Sequence, residues 1–125
     1  MGIDIYAEWP EQSPEEQQAQ KEAWATDHGG RVGYLREAYH GEPYPSYHLM
    51  PEAFDDPDGG TIPSATLRAR LPETLRLARE RIRKVYDIAD EAKIERGVKQ
   101  YTDFVEFCEA VEAETGQPPT IIAWW

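Results

Sequence analysis

The residues best suited to chemistry lie close together, between positions 34 and 48 of the chain. The candidate pocket set is Tyr34, Arg36, Glu37, Tyr39, His40 and His48. Side chains of these types can transfer protons or bind a small anion. The competing interpretation is that the tyrosines cover a sheet with their hydroxyls in water, while the histidines decorate a turn. No nucleophile motif or phosphate-binding glycine loop accompanies the set, so we favour that interpretation and assign no catalytic residue.

Electrostatic recognition is the second chemistry that the sequence suggests. The chain has 24 acidic and 13 basic side chains and a formal net charge of -11. Such a charge disfavours nucleic acid and anionic lipid as direct partners and favours a basic protein. The candidate acidic binding face comprises Glu15, Glu16, Asp55, Asp56, Asp58, Glu106 and Glu109. The alternative, left open by the sequence, is that the acidity only keeps the protein in solution.

A basic run from Arg68 to Lys84 interrupts this acidity and could suggest phosphate binding. Core positions lie between its arginines, however, and acidic neighbours can neutralise the exposed ones. We therefore expect an ion-paired helix face. The three histidines lack metal-ligand spacing, and the acidic loop at 55–60 has a proline at its third ligand position, so we expect neither metal nor cofactor. Cys108 is expected in the core.

The two ends of the chain are predicted to be strands that position these residues. Residues 2–9 alternate apolar and polar side chains, the period of a half-buried strand. Residues 119–124 also read as a strand, and we expect the two in one sheet because neither is stable alone. For residues 31–50 we prefer a β-hairpin, with strands near 31–39 and 44–50, over a helix.

Three helices are predicted to cover the sheet. The first begins with Ser13 as its cap and is pinned mainly by Trp24. The longest runs from about 61 to 96, breaks and restarts at Pro72, and is capped by Gly97. The last starts near 102 and ends at Gly116. The predicted fold class is therefore α+β, a single domain over 1–125. Its small, mostly antiparallel sheet, built from the terminal strands and the central hairpin, packs against these helices.

Location and association follow from simpler features. No stretch of about 18 apolar residues could span a bilayer, and the N-terminal residues lack the pattern of a signal peptide. A lone cysteine fits a reducing compartment, so a cytoplasmic location is expected. Trp124 and Trp125 end a strand that is apolar on both faces. Since large exposed aromatics commonly mark interfaces, we expect a homodimer through the C-terminal strand.

Three stretches also carry a resemblance: MGIDIYAEW at 1–9, GYLREAYHG at 33–41 and LPETL at 71–75. Together they are similar to a group of small uncharacterised proteins of bacteria and their phages or prophages. The resemblance covers most of the chain and implies a setting, with no activity or site residue to carry over.

The function expected from charge and setting is a non-enzymatic binding protein that engages a basic protein partner. In a phage or prophage, one concrete version is an inhibitor of a nucleic-acid-binding host defence complex, as some anti-CRISPR and DNA-mimic proteins are. The alternative is a small enzyme or small-molecule-binding domain that uses segment 34–48. A pocket lined by that segment favours the alternative, whereas a carboxylate-rich face favours the binding protein.

Overall fold

One antiparallel sheet of four strands organises the fold. The structure, a computed structural model, describes residues 2–26, 29–38 and 41–125. The strands are β1 (Gly2–Glu8), β2 (Tyr34–Ala38), β3 (Gly60–Thr61) and β4 (Thr120–Trp124), in the order β2-β1-β4-β3. β1 pairs with β4, so the two chain ends share one sheet and that prediction is confirmed. The α+β class with an antiparallel sheet is confirmed as well.

The helices are α1 (Pro14–Glu22), α2 (Pro45–Leu49), α3 (Pro51–Asp55), α4 (Ser64–Val85) and α5 (Glu91–Thr115), with short 3-10 turns at Ala23–Ala25 and Gly29–Val32. α4 and α5 supply most of the apolar side chains that cover the inner face of the sheet. The core cluster includes Ile5, Leu35 and Ile121 from the strands, Leu67 and Leu71 from α4, and Phe104 and Cys108 from α5. Cys108 is therefore a core residue, as expected. No helix in the described part of the chain combines the length and apolarity needed to cross a bilayer.

Helix α1 begins as its sequence predicts but is anchored differently. The Ser13 hydroxyl accepts from the Glu16 amide, and the Glu16 side chain accepts from the Ser13 amide, a complete capping box. Trp24, however, is 67% exposed and pins nothing. Buried Gln20 holds the helix instead, because its amide donates to the Ala7 carbonyl at 2.7 Å and to the Gly33 carbonyl at 3.2 Å.

Helix α4 runs unbroken through Pro72, so the predicted break is wrong. An interior proline costs about 3 kcal/mol. Buried Leu67, Leu71 and Ala78 lie on both sides of it, and burying such side chains contributes up to about 1.5–3 kcal/mol each. The packing of the helix against the core therefore outweighs the local penalty.

The predicted long helix to 96 is two helices joined by a turn at 86–90. Asp90 caps α5 by accepting from the Ala92 and Lys93 amides, a signal the sequence prediction missed. Gly97 consequently lies inside α5, where an added Cβ would stand 2.7 Å from the Ile82 side chain. It is a contact point between α4 and α5 rather than a cap. Gly116, with φ at 81°, ends α5 as predicted.

The predicted hairpin is correct in its first strand and wrong in its second. β2 matches its first strand, but the second predicted strand is replaced by helix α2 (Pro45–Leu49), and α3 follows after Met50. Pro45 and Pro51 each occupy the first turn of a helix. An N–H at this position would have no partner within the helix, so its absence in proline costs nothing, and the fixed φ of proline is already helical. The fourth strand of the sheet is β3, which pairs with β4 through Gly60 and Thr61. Five helices therefore replace the three that were expected.

Candidate functional site

The predicted pocket set at 34–48 is divided by the alternation of β2. Tyr34 and Arg36 lie on the outer face of the sheet, where both donate hydrogen bonds to the Asp4 carboxylate, Arg36 at 2.6 Å. Burial, followed by the hydrogen bond to Asp4, raises the pKa of Tyr34. Glu37 points to the opposite face, and His48 is exposed on α2. Tyr39 and His40 lie outside the described residues.

Glu37 is the centre of a buried polar network. Its carboxylate accepts from the Ser46 amide at 3.0 Å, the Ser46 hydroxyl at 2.9 Å and the Tyr101 hydroxyl at 2.6 Å. Burial raises the pKa of Glu37, and the hydrogen bonds from Tyr101 and Ser46 oppose that rise. Burial also raises the pKa of the Tyr101 hydroxyl well above its ordinary value. The network joins β2, α2 and α5.

Arg81 completes the network from α4 although its exposed fraction is only 3%. Its guanidinium donates to the carbonyls of Gly41 at 2.6 Å, Pro43 at 2.7 Å and Ala38, and lies 4.8 Å from the centroid of the Tyr44 ring. Among the residues the structure describes, every buried side-chain nitrogen and oxygen has a hydrogen-bond partner. Arg81 therefore links α4 to the end of β2 and to the residues just before α2, and Glu37 links β2 to α2.

The basic run of α4 is neutralised, as expected, by carboxylates on α3, α4 and α5. The ion pairs are Arg68–Glu109, Arg70–Glu52, Arg76–Glu73, Arg76–Glu80, Arg79–Glu95, Arg83–Glu91 and Lys84–Glu80. The remaining member of the run, Arg81, is buried on backbone carbonyls. This helix consequently presents no surplus positive charge that could attract a phosphate backbone.

The predicted acidic face contains both free and engaged carboxylates. Glu16 is used in the capping box, and Glu109 is held by Arg68, with one N–O distance of 3.1 Å. Asp56 accepts the Asp58 amide at 2.8 Å within the loop after α3. Glu15, Asp55 and Glu106 are exposed and form no ion pair with any residue in the described ranges. These three carboxylates are available to a partner.

Asp55 belongs to a pocket that the sequence prediction did not assemble. We call it the aromatic pocket; it has a volume of about 410 Å³ and is lined by Ile3, Glu42, Tyr44, Tyr47, Phe54, Asp55 and Trp125. The Tyr47 and Phe54 rings meet edge to face at 5.4 Å, and the Phe54 and Trp125 rings lie 5.3 Å apart at 43°. Three of the lining rings, from α2, α3 and the C-terminus, therefore form non-parallel walls.

Two carboxylates rim the aromatic pocket, those of Glu42 and Asp55. Both residues are exposed, and neither forms an ion pair within the part of the chain that the structure describes. Aromatic faces and nearby carboxylates are both complementary to an ammonium or guanidinium group. The arrangement can hold a cation.

Sequence reasoning had two fragments of this pocket. It assigned Trp125 to an interface and placed Tyr44 and Tyr47 in one segment, but the strand predicted at 44–50 put these two tyrosines on opposite faces. Tyr44 instead caps helix α2 and Tyr47 lies in its first turn, and both line the same pocket. The proline at position 45, a typical first helical residue, was the available signal.

The described residues include neither a metal-binding cluster nor a thiol that ionises at neutral pH. Among residues 2–26, 29–38 and 41–125, no three His, Cys, Asp or Glu side chains gather closely enough to hold a metal ion. His28 and His40, two of the three histidines considered as ligands, lie outside those ranges. Burial raises the pKa of Cys108 to about 12, so its thiol stays protonated at neutral pH.

Comparisons with known proteins leave the site to be interpreted from its own geometry. No family model matches the chain, no curated protein matches it, and no solved structure matches it.

Proposed function

We propose that this protein is a non-enzymatic binding protein that engages a basic protein partner. The observation that carries the proposal is the aromatic pocket, in which one cavity is lined by four aromatic rings and by two carboxylates that form no ion pair among the described residues. A lysine or arginine side chain of the partner enters this pocket and lies against the rings. The ends of its charged group then contact Glu42 and Asp55.

The energetics of such a contact are well understood. A cation over an aromatic face contributes about 0.5–2 kcal/mol, more when water is excluded. Tyrosine, tryptophan and arginine dominate the binding energy of protein interfaces when they fill pockets of this kind. Trp125 is 64% exposed and Tyr47 is 49% exposed, so the partner covers apolar area that the isolated chain leaves in water.

The charge of the whole chain supports the same class of partner. The cations of α4 are consumed by ion pairs, while Glu15, Asp55 and Glu106 remain unpaired among the described residues. With a formal net charge of -11, the protein attracts a basic surface over distance and accelerates encounter with it. Added salt weakens this steering, since the screening length is about 8 Å at physiological ionic strength.

The resemblance to bacterial phage and prophage proteins suggests one concrete partner class within this proposal. Host defence complexes that bind nucleic acid expose basic channels, and an acidic protein can occupy such a channel. The protein would then act as an inhibitor, comparable to a DNA mimic or an anti-CRISPR protein.

The alternative, an enzyme or small-molecule-binding domain that uses the whole 34–48 set, receives less support. Tyr34 and Arg36 lie on the opposite face of β2 from Glu37. His48 is exposed on α2 and belongs to neither face of that strand. The Glu37 carboxylate is already satisfied by Ser46 and Tyr101.

The test is binding of a fluorescently labelled lysine-rich peptide, followed by anisotropy. Trp125→Ala is expected to weaken binding about fivefold, the equivalent of about 1 kcal/mol of cation–aromatic contact. Trp124→Ala is the matched control, because Trp124 is 65% exposed but lines a different cavity, beside Tyr6. Equal losses in the two variants, or no loss in either, would contradict the proposal.

A further inference from the structure

A second cavity lies where β2 meets the turn between α4 and α5. We call it the β2 cleft; its volume is about 360 Å³. The side chains that matter for its chemistry are Trp24, Arg36, Tyr86, Arg96 and Gln100. A smaller chamber of about 200 Å³ shares Arg36, Tyr86 and Gln100 with it and has Glu37, Arg81 and Tyr101 in its lining. The shared lining residues show that the two cavities adjoin.

Arg96 is the unusual residue of the β2 cleft. It is exposed on α5 and forms no ion pair or hydrogen bond with any residue in the described ranges. Its helix neighbours are engaged, Glu95 with Arg79 and Lys99 with Asp103. An arginine without an ion pair among the described residues, in the lining of a cavity, is a planar donor suited to a carboxylate or a phosphate.

Two arginines lie in the described lining of the β2 cleft, Arg36 and Arg96. Arg36 is the second cation in its lining and uses one guanidinium nitrogen, Nη1, for Asp4. No aspartate or glutamate lines the β2 cleft among the residues described, although the sequence contains 24 acids. Since Asp4 offsets the charge of Arg36, Arg96 is the cation of the cleft that a small anion would pair with.

The cleft also offers flat apolar surface. Trp24 is 67% exposed, although it follows directly after a helix and could have packed inside, and Tyr86 is 40% exposed. Indole and phenol faces stack on planar rings. The Gln100 amide adds one donor and one acceptor at the same opening.

We propose that the β2 cleft binds a small planar organic anion. Its ring lies against Trp24 or Tyr86, and its carboxylate or phosphate accepts hydrogen bonds from Arg96 and Arg36. The cleft lies at the low end of the range of small-molecule sites, about 300–1,000 Å³, so a ligand of one or two rings fits. This site shares no lining residue with the aromatic pocket and does not depend on the proposed protein partner.

The first test compares benzoate with benzamide, which has the same ring and no charge, in titrations followed by ¹H–¹⁵N NMR. Benzoate is expected to shift the indole N–H of Trp24 and the side-chain N–H of Arg96, and to bind at least fivefold more tightly than benzamide. Acetate, an anion without a ring, is expected to bind more weakly than benzoate. Equal binding of benzoate and benzamide, or of benzoate and acetate, would overturn the proposal.

Variants on α5 make the assignment specific. Arg96→Gln is expected to lower benzoate affinity at least fivefold while the melting temperature stays within about 2 °C of the wild type. Lys93→Gln is the matched control, since Lys93 is exposed on the same helix, lacks an ion pair among the described residues and lies outside the cleft. An equal loss in both variants would show a general charge effect and overturn the site.

Two sources could supply this chemistry, an aromatic carboxylate or a nucleotide. Adenosine monophosphate, with adenosine as its neutral control, distinguishes them in the same titration. Tighter binding of the monophosphate than of benzoate, lost in Arg96→Gln, supports the site and identifies the anion as a phosphate. Tighter binding of benzoate supports it and identifies a carboxylate. Absence of a shift at both the Trp24 indole N–H and the Arg96 side-chain N–H, with both anions, overturns the proposal.

Discussion

The Tyr101 hydroxyl donates to the Glu37 carboxylate at 2.6 Å, across 64 positions of sequence. This bond ties the edge strand β2 to the middle of α5 inside the core. Arg81 from α4 lies in the same region and holds the carbonyls that follow β2. The connection from β2 to α2, and with it the position of Tyr44 and Tyr47 in the aromatic pocket, therefore depends on buried polar contacts.

Glu37 should make stability depend on pH in a definite direction. Because burial raises its pKa above the ordinary value of 4.5, the folded state holds the proton more tightly than the unfolded chain does. The free energy of unfolding should therefore decrease as the pH rises from about 4.5 through the raised pKa. Urea titrations of the wild type and Glu37→Gln over this range test it. The wild type should lose stability relative to the variant as pH rises; a constant difference would contradict the assignment.

Replacing Arg81 by lysine should be costly although the charge is kept. A lysine ammonium cannot span the carbonyls of Ala38, Gly41 and Pro43 with the fork geometry that arginine provides. Leaving buried acceptors unsatisfied costs about 1–3 kcal/mol each, so Arg81→Lys should lower the free energy of unfolding by at least about 2 kcal/mol. Denaturant unfolding measures this. A loss of unfolding free energy below about 0.5 kcal/mol would show that the hydrogen bonds of Arg81 to these carbonyls do not stabilise the fold.

The contact between Gly97 and Ile82 predicts whether a larger residue at position 97 raises or lowers stability. Ile82→Ala should cost about 2 kcal/mol, the low end of the range for core truncations, because Ile82 is only half-buried. In that background Gly97→Ala should raise stability by about 1 kcal/mol, since alanine favours helix and the Ile82 side chain no longer stands 2.7 Å from the added methyl group. Thermal unfolding of the double variant, compared with Ile82→Ala, decides it. A double variant less stable than Ile82→Ala would contradict this packing.

Charge reversal should separate the free carboxylates from the engaged ones. Glu15→Lys with Glu106→Lys should weaken binding of a lysine-rich peptide and change stability by under about 0.5 kcal/mol per site, since both residues are exposed. Glu16→Lys should instead cost about 1 kcal/mol of stability, because it removes half of the capping box. Peptide affinity and melting temperature are measured on the same samples. Unchanged peptide affinity in the Glu15 and Glu106 variant would show that these two residues do not belong to the binding face.

The predictions that succeeded rest on local patterns. Alternation at 2–9 and the apolar strand near the C-terminus specify half of the sheet, and Ser13 with Glu16 specifies the start of α1. The failures at Pro45 and Pro51 came from reading prolines as strand ends when they begin helices. At Pro72 the proline was read as a helix break, but the helix continues because tertiary packing overrides this local signal.

The sites were harder to predict for a different reason. Tyr47, Phe54 and Trp125 meet only after the sheet has brought the C-terminal strand beside α3, and no spacing in the sequence records that contact. The recruitment of Arg81 into the core was equally hidden, because its neighbours in the basic run are all ion-paired at the surface. The homodimer expected through β4 stays a prediction, which light scattering of the purified chain tests.

The central claim is that the aromatic pocket receives a cationic side chain. The most direct measurement follows the four tryptophan indole N–H signals in ¹H–¹⁵N spectra while a lysine-rich peptide is added. The account predicts a saturable shift of the Trp125 signal, reduced by Asp55→Asn, with Trp9 and Trp124 nearly unchanged. Shifts of similar size at Trp124 and Trp125, or a Trp125 signal that does not move as the peptide binds, would contradict it.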